Sequence, residues 1–367
     1  MVRNDKLKIL QVAPIYIPIT PDIKYGGIER VVLALGKFFD KNGHEVITAA
    51  PADSNPYGQL LPTLEQSEWS KPRIEGDDPK AYEKHVSMIL DYIEKNDVDV
   101  VHDHTGNFVL TPLFKDALKK HDKLNNIPFI VTPHELRRFA KVSPVQRDNI
   151  IFTSLSEYQK SVFAEYVDVQ QVINNGVELS SYPFESNPGD YIFSLGSIER
   201  DKGQDLAVRA ALKAGAKLKI GGNIAERTFF DLEIGNNPNV EYVGELNDEQ
   251  KTKLYAGAKA SILPIRIGDC FTLTRLESLA CGTPVITLDT GSAREAVDDG
   301  ETGYVIPYNG KSEEESVCLM ADAIRGIGKI DRHKCRQTVE DRFTWDKIVE
   351  QYVGLYKSSM DRVNEDS

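Results

Sequence analysis

Short β-branched runs alternate with longer amphipathic stretches along nearly the whole chain, and this alternation most constrains the fold. KILQVAP (8–14) reads as a buried strand, 27–43 as an amphipathic helix stopped by Gly43, and EVITAAP (45–51) as the next strand, together one βαβ unit. A polar, turn-rich stretch (52–79) follows, then a helix (80–95), the strand VDVVHDH (98–104), a helical segment near 108–121 and the strand PFIVTPHE (128–135). Strand 150–155, helix 156–166 and strand 170–177 close the first run. Residues 180–190, SSYPFESNPGD, lack periodicity and read as a linker. The alternation then restarts: strands 191–197, 217–222, 240–246, 260–265, 284–289 and 304–307 are separated by helices at 203–215, 225–234, 247–258, 271–281 and 292–299. Helices at 312–328, 331–342 and 345–363 complete the chain.

V/I-rich strands alternating with helices call for parallel sheets covered on both faces. The expected fold is therefore α/β: two Rossmann-like parallel-sheet domains facing across a cleft, residues 1–180 and 191–344. Ligands of such sheets bind at the carboxyl ends of strands, so the cleft is the expected site. A length of 367 residues suits two domains. With 44 Lys and Arg against 56 Asp and Glu, the net charge of −12 argues against non-specific nucleic-acid binding and leaves room for a local basic site. Four Cys without a CxxC pair exclude a zinc ribbon and fit a reducing compartment. No apolar run approaches a membrane span, so the expected location is the cytoplasm, including the inner membrane face.

Four constellations could carry chemistry. Gly26-Gly27, between the first strand and first helix, allows close backbone approach to an anion, although a plain turn uses the same pair. It is not GxGxxG, and no acidic residue closes the second strand, which argues against a dinucleotide dehydrogenase. Arg200-Asp201-Lys202-Gly203 puts two cations after the first strand of the second run, where a diphosphate would need them; a solvated loop is the plain alternative. Asp269 precedes a helix and Glu277 lies two turns inside it, so Asp269 could be an N-cap, while Glu277 needs a partner or a polyol such as ribose. His102-Asp103-His104 and Thr132-Pro133-His134-Glu135 stand at strand ends. Zinc is the minority reading there, because Asp103 faces away from both histidines, and His134 is better placed to meet a ligand.

The stretch Asp269 to Ile286 resembles the ExxFGxxxxE…LACGTPVI signature of the retaining GT-B glycosyltransferases of family 4, the group 1 glycosyltransferases. GGIERVV, TPHE, GSIERDKGQDL and GSAREAVDDGETGYVI extend the resemblance from about Lys8 to Tyr356. It implies a retaining hexosyltransferase that takes a nucleotide diphosphate sugar (UDP- or GDP-linked) to a sugar, lipid-linked or small-molecule acceptor. Gly26 and Gly27 would approach the diphosphate, His134 the donor sugar, Lys202 the leaving phosphate, Asp269 the sugar hydroxyls and Glu277 the ribose. Phe271, Thr272, Leu273 and Thr274 would line the donor pocket through their backbone, and helix 345–363 would cross back to the N-terminal domain. Three departures stand out: Asp269 replaces a glutamate, Cys270 and Thr272 replace Pro and Gly, and Ser197 replaces an arginine that Arg200 would stand in for. No metal cofactor is expected, since no DxD-type pair ends a strand of the second run. The rival readings are a sugar-nucleotide 2-epimerase and an inactive sugar-nucleotide binding protein. Seven basic residues between 115 and 141 (Lys115, Lys119, Lys120, Lys123, Arg137, Arg138, Lys141) against Asp116, Asp122 and Glu135 suit an anionic membrane surface or charged acceptor as well as a solvated helix face.

Overall fold

The computed structural model describes residues 6–23, 26–68, 79–136 and 147–365. The chain divides into two units, Met1–Asn174 with Trp345–Ser367, and Asn175–Thr344.

In the first unit the strands are β1 (Lys8–Val12), β2 (Glu45–Ala50), β3 (Gln59–Pro62), β4 (Val100–Asp103), β5 (Phe129–Val131), β6 (Ile150–Ser154) and β7 (Val169–Val172). They form one sheet in the order β3-β2-β1-β4-β5-β6-β7, with every pairing parallel. Parallel neighbours need crossovers, supplied here by α1 (Gly27–Lys41), α2 (Pro79–Lys95), α3 (Pro112–Lys120) and α4 (Glu157–Phe163). On α1 the apolar positions Val31, Val32, Leu35, Phe38 and Phe39 recur at helical spacing, and all are buried. Phe108, Phe114, Phe129 and Val101 belong to the main core of this unit.

Two expected elements differ. The turn-rich stretch 52–79 contains β3, an edge strand of four residues whose ends are exposed, too short to show a period. The helix expected over 108–121 breaks at Thr111, which is extended (φ −67°, ψ 147°) because Pro112 follows it. A 3₁₀ turn precedes the break, and the Thr111 hydroxyl caps α3 by accepting from the Phe114 N–H at 3.1 Å.

The second unit holds β8 (Tyr191–Leu195), β9 (Lys217–Gly221), β10 (Val240–Gly244), β11 (Ala260–Leu263), β12 (Val285–Leu288) and β13 (Gly303–Ile306), again all parallel, in the order β10-β9-β8-β11-β12-β13. Its helices are α5 (Gln204–Ala214), α6 (Arg227–Glu233), α7 (Asp248–Gly257), α8 (Leu273–Ala280), α9 (Ala293–Ala296), α10 (Glu313–Gly326) and α11 (Arg332–Arg342). Residues 180–190 belong to this unit, tied down from α11: Arg332 donates to the Glu185 carbonyl at 2.6 Å and Arg336 to the Tyr182 carbonyl at 2.8 Å. The last helix, α12 (Trp345–Glu365), belongs to the first unit, where Phe39 meets Tyr356 at 5.7 Å between ring centroids.

Each sheet reverses its strand order once, between β1 and β4 in the first unit and between β8 and β11 in the second. Loops leaving the carboxyl ends at such a point part to opposite sides and open a crevice. The candidate residues that follow these strands are thereby placed at a switch point.

Candidate functional site

In the second unit the loops after β8 and β11 are fastened to each other. Arg266 donates its backbone N–H to the Asp201 carbonyl at 2.9 Å and its Nη1 to the Arg200 carbonyl at 2.7 Å. The same guanidinium grips Asp205 with both terminal nitrogens, at 2.7 and 2.6 Å. Gly203 ends the 3₁₀ turn Arg200–Lys202 in the left-handed region (φ 72°), and a Cβ there would meet the Pro264 carbonyl oxygen at 2.0 Å. Only glycine satisfies both demands. The turn thus holds two cations beside the loop that carries Asp269. The guanidinium of Arg200 is exposed and sits 5.7 Å from the centre of the Phe229 ring. Lys202 is half-buried and forms no ion pair among the described residues. Ser197 is half-buried, and its carbonyl accepts from Gln204 Nε2 at 2.8 Å.

Asp269 is clamped. Its Oδ1 accepts from Arg275 Nη1 at 2.9 Å, Ser292 Oγ at 2.7 Å and the Thr272 N–H at 3.2 Å, while Arg275 Nη2 lies 2.8 Å from Oδ2. Burial alone would raise its pKa, but the charge and hydrogen bonds of Arg275 outweigh burial and hold the carboxyl below its ordinary range. Oδ1 is saturated, and Oδ2 is itself sealed from solvent beside Arg275. Arg275 is completely buried. Phe271 is buried with its ring 5.5 Å from Phe343, and its carbonyl accepts from Asn175 Nδ2 at 2.9 Å. Thr272, Leu273 and Thr274 are half-buried, and α8 begins among them with no side-chain cap, which leaves first-turn N–H groups for an anion or hydroxyl. Glu277, buried on α8, has a protein partner: Lys251 Nζ lies 2.6 Å from its Oε1, and Tyr182 Oη donates to the same oxygen at 3.2 Å.

In the first unit, Gly26 precedes α1 with φ 136°, and Glu29 fills the space its Cβ would take, with Oε2 2.6 Å from that position. A Cβ on Gly27 would meet nothing within 4 Å. Glu29 is buried, which pushes its pKa up to about 7, helped by the charge of Glu135. His102 bonds through both ring nitrogens, Nε2 to Thr132 Oγ1 at 2.8 Å and Nδ1 to Tyr356 Oη at 2.7 Å, so it has no lone pair left for a metal. His104 stacks on it with ring centroids 3.8 Å apart and meets His134 through a 3.3 Å Nδ1···Nε2 contact. Asp103 turns away and accepts from the backbone of Thr105, Gly106 and Phe108. Among the described residues no group of three or more His, Cys, Asp or Glu could hold a metal ion.

Sequence reasoning missed Arg275, Arg266, Lys251 and the tyrosines of α12. Arg275 alone left a signal, as a cation inside the apolar helix that follows Asp269.

Comparison with known proteins places this architecture. The model of glycosyl transferases group 1 matches residues 183–340, and that of glycosyltransferase family 4 matches 25–181. The chain belongs to the group 1 glycosyltransferases. An uncharacterised glycosyltransferase of Methanocaldococcus jannaschii is 25% identical over 236 residues, 57% of this chain and 59% of that protein. D-inositol 3-phosphate glycosyltransferase of Acidothermus cellulolyticus is 26% identical over 196 residues, 47% of this chain and 42% of its own length. The chain thus spans about half the length of these two relatives. Sucrose-phosphate synthase from Thermosynechococcus elongatus shares the fold with a TM-score of 0.77 at 20% identity, covering 96% of this chain and 98% of that one. Anabaena HepE, solved in complex with UDP and glucose, has a TM-score of 0.71 at 14% identity, covering 96% of this chain and 100% of that one. Both are GT-B glycosyltransferase structures, and the present chain has the same α/β architecture. Among the described residues no helix is long and apolar enough to cross a membrane.

Proposed function

We propose that this chain moves a sugar from a nucleoside diphosphate sugar to an acceptor hydroxyl, with retention at the anomeric carbon. The observation that carries the reading is the fastening of the Arg200–Lys202 turn to the loop leading into Asp269, at the switch point of the second sheet. A departing nucleoside diphosphate gathers negative charge, and fixed cations with uncapped N–H groups stabilise that charge without reorganising. Lys202 takes a phosphate oxygen as a point charge, and Arg200 can swing from the Phe229 ring to hold two oxygens at once. Asp269, clamped by Arg275, faces the sugar hydroxyls once the loop it anchors opens to the donor, the backbone of Phe271 to Thr274 lines the donor, and Glu277 meets the ribose from its pair with Lys251. His134 contacts the transferred sugar, and the backbone at Gly26 and Gly27 approaches the diphosphate. The donor is UDP- or GDP-linked; the complex of Anabaena HepE with UDP and glucose supports the first. The acceptor is a sugar, a lipid-linked sugar or a small molecule. Of the basic cluster near α3, Lys119 pairs with Asp116 and Lys123 with Asp97, while Arg137, Arg138 and Lys141 lie outside the described residues.

The test is product analysis with a panel of donors and acceptors in the presence of EDTA. Transfer should persist under chelation, with the donor's anomeric configuration kept in the product. Arg200→Ala should lower kcat by about 10²-fold, the scale of losing one transition-state donor. Ser197→Arg should restore part of that loss. Abolition by EDTA with rescue by Mg²⁺ would overturn the assignment of charge stabilisation to Arg200 and Lys202. Conversion of UDP-N-acetylglucosamine by the enzyme alone would replace transfer with epimerisation.

A further inference from the structure

His102, His104 and His134 of the first unit form a row of rings in contact. His102 Nε2 lies 2.8 Å from Thr132 Oγ1, and its Nδ1 lies 2.7 Å from the Tyr356 hydroxyl. Thr132 in turn meets Thr153 Oγ1 at 2.6 Å, and Tyr352 bonds to both threonines. Both nitrogens of His102 are thus engaged, which fixes its ring, and His104 lies against that ring at 3.8 Å between centroids.

The next contact is between two imidazoles, His104 Nδ1 and His134 Nε2, 3.3 Å apart. Burial depresses the pKa of both rings, His134 to about 4, so both are neutral near pH 7. One nitrogen must donate and the other accept. His104 Nε2 decides which: it is buried and has no hydrogen-bond partner. If His134 donated, His104 would accept at Nδ1 and carry its own proton on that sealed Nε2. If His104 donates, the sealed atom holds only a lone pair. Buried N–H groups without an acceptor are rarer than acceptors left short of a donor.

We propose that His104 is a positioning residue that donates from Nδ1 to His134 Nε2 and so holds His134 as the Nδ1–H tautomer, offering its ligand a hydrogen-bond donor. The half-buried His134 therefore presents N–H, and the atom it recognises is an acceptor such as a sugar hydroxyl oxygen. This deepens the reading in which His134 meets the transferred sugar and rests on it for the identity of the ligand. The tautomer itself is a property of the protein without substrate.

The experiment is long-range ¹H–¹⁵N NMR of the full chain with labelled histidine and no ligand, with the His134 signals assigned by their loss in His134→Gln. The expected pattern is a protonated Nδ1 and a bare Nε2 on His134. The Nε2–H pattern in the wild type would overturn the proposal, and this arm requires no variant of His104 to fold. In His104→Phe, which keeps a ring against His102 but removes the donor, His134 should relax to Nε2–H; persistence of Nδ1–H would also overturn it. His104→Asn, whose amide can donate from the same place, should restore Nδ1–H. In turnover, His104→Phe should lower kcat by up to about 10²-fold, as small misplacements of reacting groups do, and His104→Asn should recover most of it. Unchanged turnover in His134→Ala would remove His134 from the sugar contact while leaving the NMR result to stand or fall separately.

Discussion

Glu277 shows how a residue can be correctly singled out and incompletely read. A carboxylate inside an apolar helix needs a partner, and the sequence offered ribose as one candidate. The structure supplies Lys251, with both side chains under a tenth exposed. Removing Glu277 leaves the buried Lys251 ammonium with the exposed Asp248, 3.1 Å away, as its one ion-pair partner among the described residues. Glu277→Ala should therefore destabilise the second unit by up to about 3–5 kcal/mol, measured by denaturant unfolding. The double change Glu277→Leu with Lys251→Met should recover most of that loss. If Glu277 also binds ribose, the folded double variant will still bind UDP and GDP more weakly, by about 1.5–3 kcal/mol. Wild-type nucleotide affinity in that variant would leave Glu277 with a structural role alone. Glu29 offers a separate test at this scale. Its pKa lies near 7 in the folded chain and near 4.5 when exposed, so the folded state binds the extra proton between those values. Its contribution is complete below about pH 4.5 and is lost as pH rises through 7. Relative to Glu29→Gln, the wild type should lose about 3 kcal/mol of stability between pH 5 and pH 8. A difference between the two that stays flat with pH would place the Glu29 carboxyl in a better-solvated setting.

At the scale of elements, the two parallel sheets were legible because buried strands and amphipathic helices leave different periods in sequence. The failures have local causes. Strand β3 is an edge of four residues with one neighbour, and the first turn of the 108–121 segment was cut off by Pro112. Asp269 and Glu277 were legible through their spacing of eight residues around a helix start, although α8 begins at Leu273 and Glu277 lies little more than one turn inside it. The clamp on Asp269 left a local signal in Arg275, six residues on, whereas the distant pairs left none. Lys251 lies 26 residues from Glu277, and Arg266 lies 61 from Asp205, so only the closed sheet reveals either pair. Gly203 sits where these local and distant constraints meet. Gly203→Ala would force a Cβ onto the Pro264 carbonyl at a positive φ, and at least about 1–3 kcal/mol of strain follows. The turn carrying Arg200 and Lys202 should loosen, so KM for the donor should rise even where thermal unfolding shows the sheet intact. Wild-type donor KM in Gly203→Ala would mean that the turn does not position the phosphate.

For the molecule as a whole, the two units are built alike but equipped differently. The first carries a hydrogen-bonded histidine row at β4 and β5, and the second carries cations and an uncapped helix at β8 and β11. The second set is the equipment we propose for binding phosphate, and family membership makes a nucleotide sugar the ligand to try first. The most direct measurement is thermal unfolding of the full chain against a panel of UDP- and GDP-sugars, run in parallel on Lys202→Ala. One donor should raise the stability of the wild type, by about 2.7 kcal/mol at a hundredfold excess over Kd, and the variant should show little of that gain. A panel that leaves the wild type unmoved, or a shift that Lys202→Ala retains in full, would contradict the account.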